Sequence, residues 1–151
     1  MSWWSRLTGE NPKNKHKPQR PDYLTEALAL ERQGDYDAAL TSYRLALRDK
    51  PNDPRIIQNM AIAFSRTGRL DEAIRSYRRA LNLDPNLSGA HYGLAFLLIR
   101  RGDAASAQAH LNAFLANPPK SADAERWVKH AQQTLAELGT GDAAGALPTP
   151  E

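Results

Sequence analysis

Four histidines are the side chains best suited to metal binding or proton transfer in this chain: His16, His91, His110 and His130. A metal site needs ligands at short, regular spacings. Here His16 lies in a basic opening segment, and the other three fall in different predicted helices. Each reads as a solvated or internally satisfied histidine, with no metal and no other cofactor implied. There is no cysteine, which excludes a disulfide framework, a thiolate metal site and thiol chemistry. No serine or threonine has an evident base and orienting partner, so the chain is not read as an enzyme. Residues 84–89 (DPNLSG) imitate the start of a calcium loop, but its closing position would be Ala95, where a bidentate glutamate is required. No glycine-rich loop ending in Gly-Lys-Ser/Thr is present, and the glycines at 139–145 come after a predicted helix instead of a strand. Asn86-Leu87-Ser88 fits a glycosylation sequon, but nothing directs the chain into a secretory pathway. The chemistry left is recognition.

Recognition needs a scaffold, and the scaffold is periodic. Gly34, Gly68 and Gly102 stand 34 residues apart, as do Ala39, Ala73 and Ala107, and Pro51, Pro85 and Pro119. Three coincident series at one period mark an internal repeat. The glycines fall where a first helix ends and a left-handed residue is needed. Asp53-Pro54 suits a helix start, and Pro51 and Pro85 stop the second helices. Ala27, Ala61 and Ala95, with Ala39, Ala73 and Ala107, keep helices thin where they cross, beside Tyr43 and Tyr77. Ile56, Met60, Ala63 and Phe64 recur on one helical face. One such unit cannot bury that face alone, but stacked neighbours can.

On these residues the chain resembles the tetratricopeptide repeat family. The resemblance implies an all-α fold, a right-handed superhelical α-solenoid of three helix–turn–helix units, at 20–53, 54–87 and 88–121. Helices are expected near 22–33 and 37–49 in the first unit, where Glu26 takes an apolar place as suits a terminal repeat. The third unit drifts, with Leu111 where the tyrosines were and Phe114 where Ala46 and Ala80 were. Its last helix is therefore expected to pack against the segment after residue 121. That segment reads as a capping helix at 122–138, with Ser121 as N-cap and Gly139 as stop. Its apolar stripe is Ala124, Trp127, Val128, Ala131, Leu135 and Leu138.

In that family the first helices line a concave face. Carried across residue by residue, the resemblance implies a peptide groove built from Leu24, Leu28, Glu31 and Arg32 in the first repeat. The second adds Gln58, Asn59, Ile62, Ser65 and Arg66, and the third adds Tyr92, Phe96, Ile99 and Arg100. Arg32, Arg66 and Arg100 occupy one place in each unit, so stacking sets them in a row. They either grip carboxylates or are solvated bases at a commonly basic place. The chaperone-tail clamp of some members is not expected, because Leu24, Leu28, Gly89 and Gly93 occupy most of its positions and only Asn59 remains.

At 151 residues, with 41% hydrophobic and 25% charged residues, the composition is that of one globular domain. No apolar run approaches a membrane span or a signal-peptide core, which makes cytoplasmic the default reading. The net charge of +3 is uneven. A basic arm at 1–19, expected to be disordered, pairs Trp3 and Trp4 with Leu7 on one potential helical face and adds Arg6, Lys13, Lys15 and Lys17. The tail at 139–151 is rich in Gly, Ala, Pro and Thr and is also expected to be disordered. The leading functional reading is an adaptor or assembly factor that holds a peptide or helix of a partner protein, with apolar anchors and acidic flanks. The alternative is a component peripheral to a membrane, its tryptophans at the headgroup level and its bases on anionic lipid. A third reading places the arm in a groove, its own or a neighbour's, giving self-association. Nucleic acid is not expected as a partner, since Lys and Arg are spread over both helices of each unit among acids.

Overall fold

The structure, a computed structural model, describes residues 22–140. The predicted basic arm, including Trp3, Trp4, Arg6, Leu7, Lys13, Lys15 and Lys17, and most of the tail lie outside the described residues. Seven helices occupy the described chain: α1 (Tyr23–Arg32), α2 (Tyr36–Asp49), α3 (Pro54–Arg66), α4 (Leu70–Leu83), α5 (Ser88–Arg100), α6 (Ala104–Ala116) and α7 (Ala124–Thr140). None of the described helices is long and apolar enough to cross a membrane. They form three antiparallel pairs, each packed on the next in chain order, with α3 also touching α5 and α7 closing the stack against α6.

Local chemistry fixes the boundaries. Gly34, Gly68 and Gly102 end the turn of each pair with φ of 79°, 75° and 80°, a left-handed geometry that a Cβ disfavours. Asp22, Asp35, Asp53 and Asp103 cap α1, α2, α3 and α6 by accepting from backbone N–H groups, each cap being worth about 1 kcal/mol. Hydrogen bonds from the Thr25 and Ser106 side chains and backbone hold the Asp22 and Asp103 carboxyls below the usual range. α4 begins after Arg69, which makes no side-chain cap. Arg69 instead reaches back one repeat to Asp37, at 3.3 Å, as Arg101 does to Asp71. These exposed pairs stitch neighbouring repeats and contribute little each.

The alanines at the helix crossings are fully buried: Ala27, Ala39, Ala61, Ala73, Ala95 and Ala107 have no exposed surface. Where they cross, Leu40, Ile56 and Leu94 interlock with the Tyr43 and Tyr77 rings in one continuous core. A second cluster joins Ala95, Leu111 and Phe114 to Ala131 of α7, with Tyr92, Phe96 and Val128 packed around it. The drift of the third repeat is thereby explained: Leu111 and Phe114 are the large side chains that meet α7.

The capping helix departs from expectation at both ends. It starts at Ala124, not at Ala122, and Ser121 contributes its backbone carbonyl to Ala124 N at 3.1 Å instead of capping with its side chain. It passes through Gly139 to Thr140, since one glycine in a helix costs only about 1 kcal/mol. Its stripe is also rotated. Trp127 is 38% exposed, while Thr134 is 7% exposed and donates back to the His130 carbonyl at 2.8 Å.

Candidate functional site

Helix hairpins on short turns leave α1, α3 and α5 running the same way on one side of the stack. α7 joins them in parallel register, because Tyr92 meets Trp127 and Phe96 meets His130 in ascending order along both helices. Arg32, Arg66 and Arg100 are the last residues of α1, α3 and α5, so all three stand at the same end of the stack. All are exposed. Among the described residues, none of the three lies within salt-bridge distance of a carboxylate. Each favourably opposes its own helix dipole.

Beneath the arginines runs a strip of buried phenols. Tyr43 donates to Glu31. Burial first, and then that bond, push its hydroxyl far above its ordinary range. Burial does the same to Tyr77, with the Arg66 guanidinium pulling the other way and Glu31 adding to the rise. The hydroxyl end of Tyr77 lies close against α5 at Gly93. Gly93 makes this approach possible, since a Cβ there would overlap the Tyr77 ring. A Cβ at Gly89 would likewise meet Gln58 Nε2 at 2.7 Å, which places α3 and α5 side by side at their other end. The sequence-predicted residues Leu24, Leu28, Gln58, Asn59 and Ile62 are half-buried, with Leu24, Leu28 and Ile62 lying on the main core.

Tyr92 and Phe96 differ from expectation, because they are walled and not open. α7 stacks His130 on Phe96 with centroids 4.8 Å apart and planes 6° off parallel. It also sets Trp127 edge-on to Tyr92 at 5.3 Å, and His130 Nδ1 pairs with the Tyr92 hydroxyl. Burial pushes the Tyr92 phenol up to about 12, and Arg126 opposes that rise. Arg126 lies over the Trp127 ring at 4.9 Å. The family model described as Tetratricopeptide repeat matches residues 30–86 and 66–127. The chain belongs to the tetratricopeptide repeat family.

No curated protein matches the chain in sequence. Solved tetratricopeptide structures share its fold at low identity. The type III secretion chaperone SycD of Yersinia enterocolitica, solved with a peptide of the translocator YopD, is 17% identical. That match covers 79% of this chain and 91% of SycD, with a TM-score of 0.73. The TPR2B domain of yeast Sti1, solved as a pHsp70 complex, is 24% identical over 79% of this chain and 94% of that one, at 0.68. The Sgt2 TPR domain of Aspergillus fumigatus is 21% identical over 85% of each chain, at 0.66. The repeat register also locates what sequence reasoning missed. Arg126, Trp127 and His130 stand 34 residues after Tyr92, Gly93 and Phe96. They occupy groove places in a fourth first helix, a signal that reading α7 only as a stripe overlooked.

The outer side carries the remaining polar chemistry. A cleft of about 260 Å³ lies between α3 and α4, floored by Ile57, Met60 and Phe64 and rimmed by Glu72, Arg75, Ser76 and Arg79. The positions one repeat on from Ile57 and Ser76 are His91 and His110, whose Nδ1 atoms lie 3.0 Å apart. His91 Nε2 faces the Pro85 carbonyl at 2.8 Å, so that nitrogen holds a proton and donates. In the neutral pair His91 Nδ1 then accepts from His110 Nδ1. Burial first, then the neighbouring His91 and Arg78, lower the His110 pKa. His110 thus disfavours its charged form on folding. Its contribution is complete above the unfolded value of about 6.5 and is lost as pH falls below it. The midpoint of thermal unfolding should drop between pH 7.5 and 5.5. The unfolding free energy should fall no more steeply than about 1.4 kcal/mol per pH unit, the one-proton limit, and less steeply because water reaches the ring. His110→Gln should flatten the profile, and an unchanged profile in that variant would assign the pH dependence elsewhere.

Proposed function

We propose that the chain is a non-catalytic protein-binding module, an adaptor or assembly factor of the cytoplasm. It holds a peptide or helix of a partner protein along α1, α3 and α5, with α7 as the end wall. The partner segment is apolar with acidic flanks. The observation that supports this most is the set of three exposed guanidinium groups that meet no carboxylate among the described residues, at one end of three parallel helices, beside half-buried Leu28, Ile62 and Phe96. Apolar side chains supply non-directional affinity, and planar guanidinium groups orient a carboxylate. Solved relatives of this fold hold peptides of other proteins, as SycD holds one of YopD. Glu31, bonded to Tyr43, marks one local place along the groove where an acid of the partner would be unwelcome.

A random peptide library selected on the full chain tests the reading. The enriched peptides should combine bulky apolar residues with Asp or Glu and should compete with one another. Enrichment of basic peptides, or of none, would contradict it. The membrane-peripheral alternative rests on the arm at 1–19, outside the described residues.

A further inference from the structure

We infer that Arg126 is a second carboxylate-binding point of the groove, so that a bound segment must carry an acid on each side of its apolar anchor. This rests on the proposed groove and adds a specificity determinant to it. Arg126 is exposed, in the first turn of α7. Its partners in the 34-residue register are Leu24, Gln58 and Tyr92. None of them is basic, so the stacking of repeats does not call for a base at this place. Nor does the helix. A cation in a first turn is unfavourable to the helix dipole, whereas Arg32, Arg66 and Arg100 are favourable to theirs in last turns.

Trp127 sets the guanidinium in place. Arg126 lies over that ring, 4.9 Å from its centroid, and Trp127 in turn stands edge-on to Tyr92 on the groove side of α5. Attraction to an aromatic ring orders an arginine without using up a hydrogen-bond acceptor. A side chain ordered before binding costs less to immobilise when the ligand arrives. Among the described residues no carboxylate lies within salt-bridge distance of Arg126, and the adjacent Glu125 pairs instead with Lys129 at 3.0 Å. The span to the arginine row follows from α5 and α7. Taking Tyr92 and Trp127 as level, Arg100 is eight residues further along α5 than Tyr92. At 1.5 Å per residue that is about 12 Å along the axis, and the neighbouring helix lies roughly 10 Å to the side. The Cα atoms of Arg100 and Arg126 are therefore about 16 Å apart, which an extended segment covers in about five residues. Phe96 and His130, stacked 4.8 Å apart, stand between the two points as the seat of the anchor.

The probe is a labelled synthetic peptide in which two glutamates, about five residues apart, flank a leucine–phenylalanine pair. Its affinity for the full-length protein is compared with that of three relatives: lysine for the first glutamate, lysine for the second, and glutamine for both. The two-glutamate peptide should bind more tightly than the glutamine one, by a margin that shrinks as salt rises. Arg126→Glu should weaken it severalfold and should be rescued by lysine at one end of the peptide only. Arg100→Glu should be rescued by lysine at the opposite end only. A lysine in the peptide cannot repair a misfolded helix, so the exchange separates contact from folding. Unless the two rescues fall at opposite ends, the inference is overturned. A two-glutamate peptide that binds no better than the glutamine one would overturn it as well. If Arg126→Glu binds normally while Arg66→Glu and Arg100→Glu lose the peptide, the groove reading stands and its second acid-binding point does not. If all three variants bind normally, the groove reading fails with it.

Discussion

Ala73→Trp should unfold the central repeat. Ala73 has no exposed surface and sits on α4, which packs on both α3 and α5. An indole there has no cavity to enter, so two helix crossings must open at once. Overpacking by a few methylenes costs about 1–3 kcal/mol, and this change is larger, so a loss of about 3 kcal/mol or more is expected. At several degrees per kcal/mol, the thermal midpoint should fall by roughly 10 °C or more. Arg75→Trp, two residues away and exposed, is the control and should cost little. Equal midpoints for the two variants would contradict the close crossing.

Phe114→Ala should be nearly as damaging, and its damage should be local. Phe114 is 2% exposed, with its ring 5.1 Å from Tyr92, inside the cluster that joins α6 to α7. Truncating a buried phenylalanine costs about 3–5 kcal/mol through lost transfer energy and a cavity. Hydrogen exchange should rise most in α7 and least in α1, because a stacked array loses cooperativity away from the damaged interface. A loss below about 1 kcal/mol, or exchange rising uniformly, would show that α7 does not depend on this contact.

The same two residues show how far the sequence could be read. Ala73 announced its place through its 34-residue partners Ala39 and Ala107, and the glycines at φ near 75–80° did so through steric need. Such positions tolerate few residue types, so their chemistry is visible without coordinates. Phe114 was legible as a departure from Ala46 and Ala80, but the departure alone did not say what it touches. α7 was the least legible element. Helical period gives a stripe without naming the neighbour it faces, and a stripe around Trp127 concealed its exposed position and its edge contact with Tyr92. The boundary residues misled because Ser121 acts through its carbonyl and Gly139 continues a helix it was expected to end. For the groove, period and helix ends place the arginines together, whereas the enclosure of Phe96 by His130 depends on the way α7 stacks beside α5, which register alone does not give.

If the face of α1, α3 and α5 binds the partner, association kinetics with one selected peptide will register changes on that face and not elsewhere. The measurement uses the full chain, Arg66→Glu, Phe96→Ala, and Arg44→Glu on the exposed side of α2. Arg66→Glu should slow association and flatten its salt dependence, since complementary charge acts mainly on encounter. Phe96→Ala should raise the dissociation rate, with roughly 1–3 kcal/mol of binding free energy lost for a buried anchor. Its helical content is checked separately, because Phe96 also supports His130. Arg44→Glu should bind as the parent does. If Arg44→Glu is instead the damaging change while Arg66→Glu and Phe96→Ala bind normally, the groove has been assigned to the wrong face.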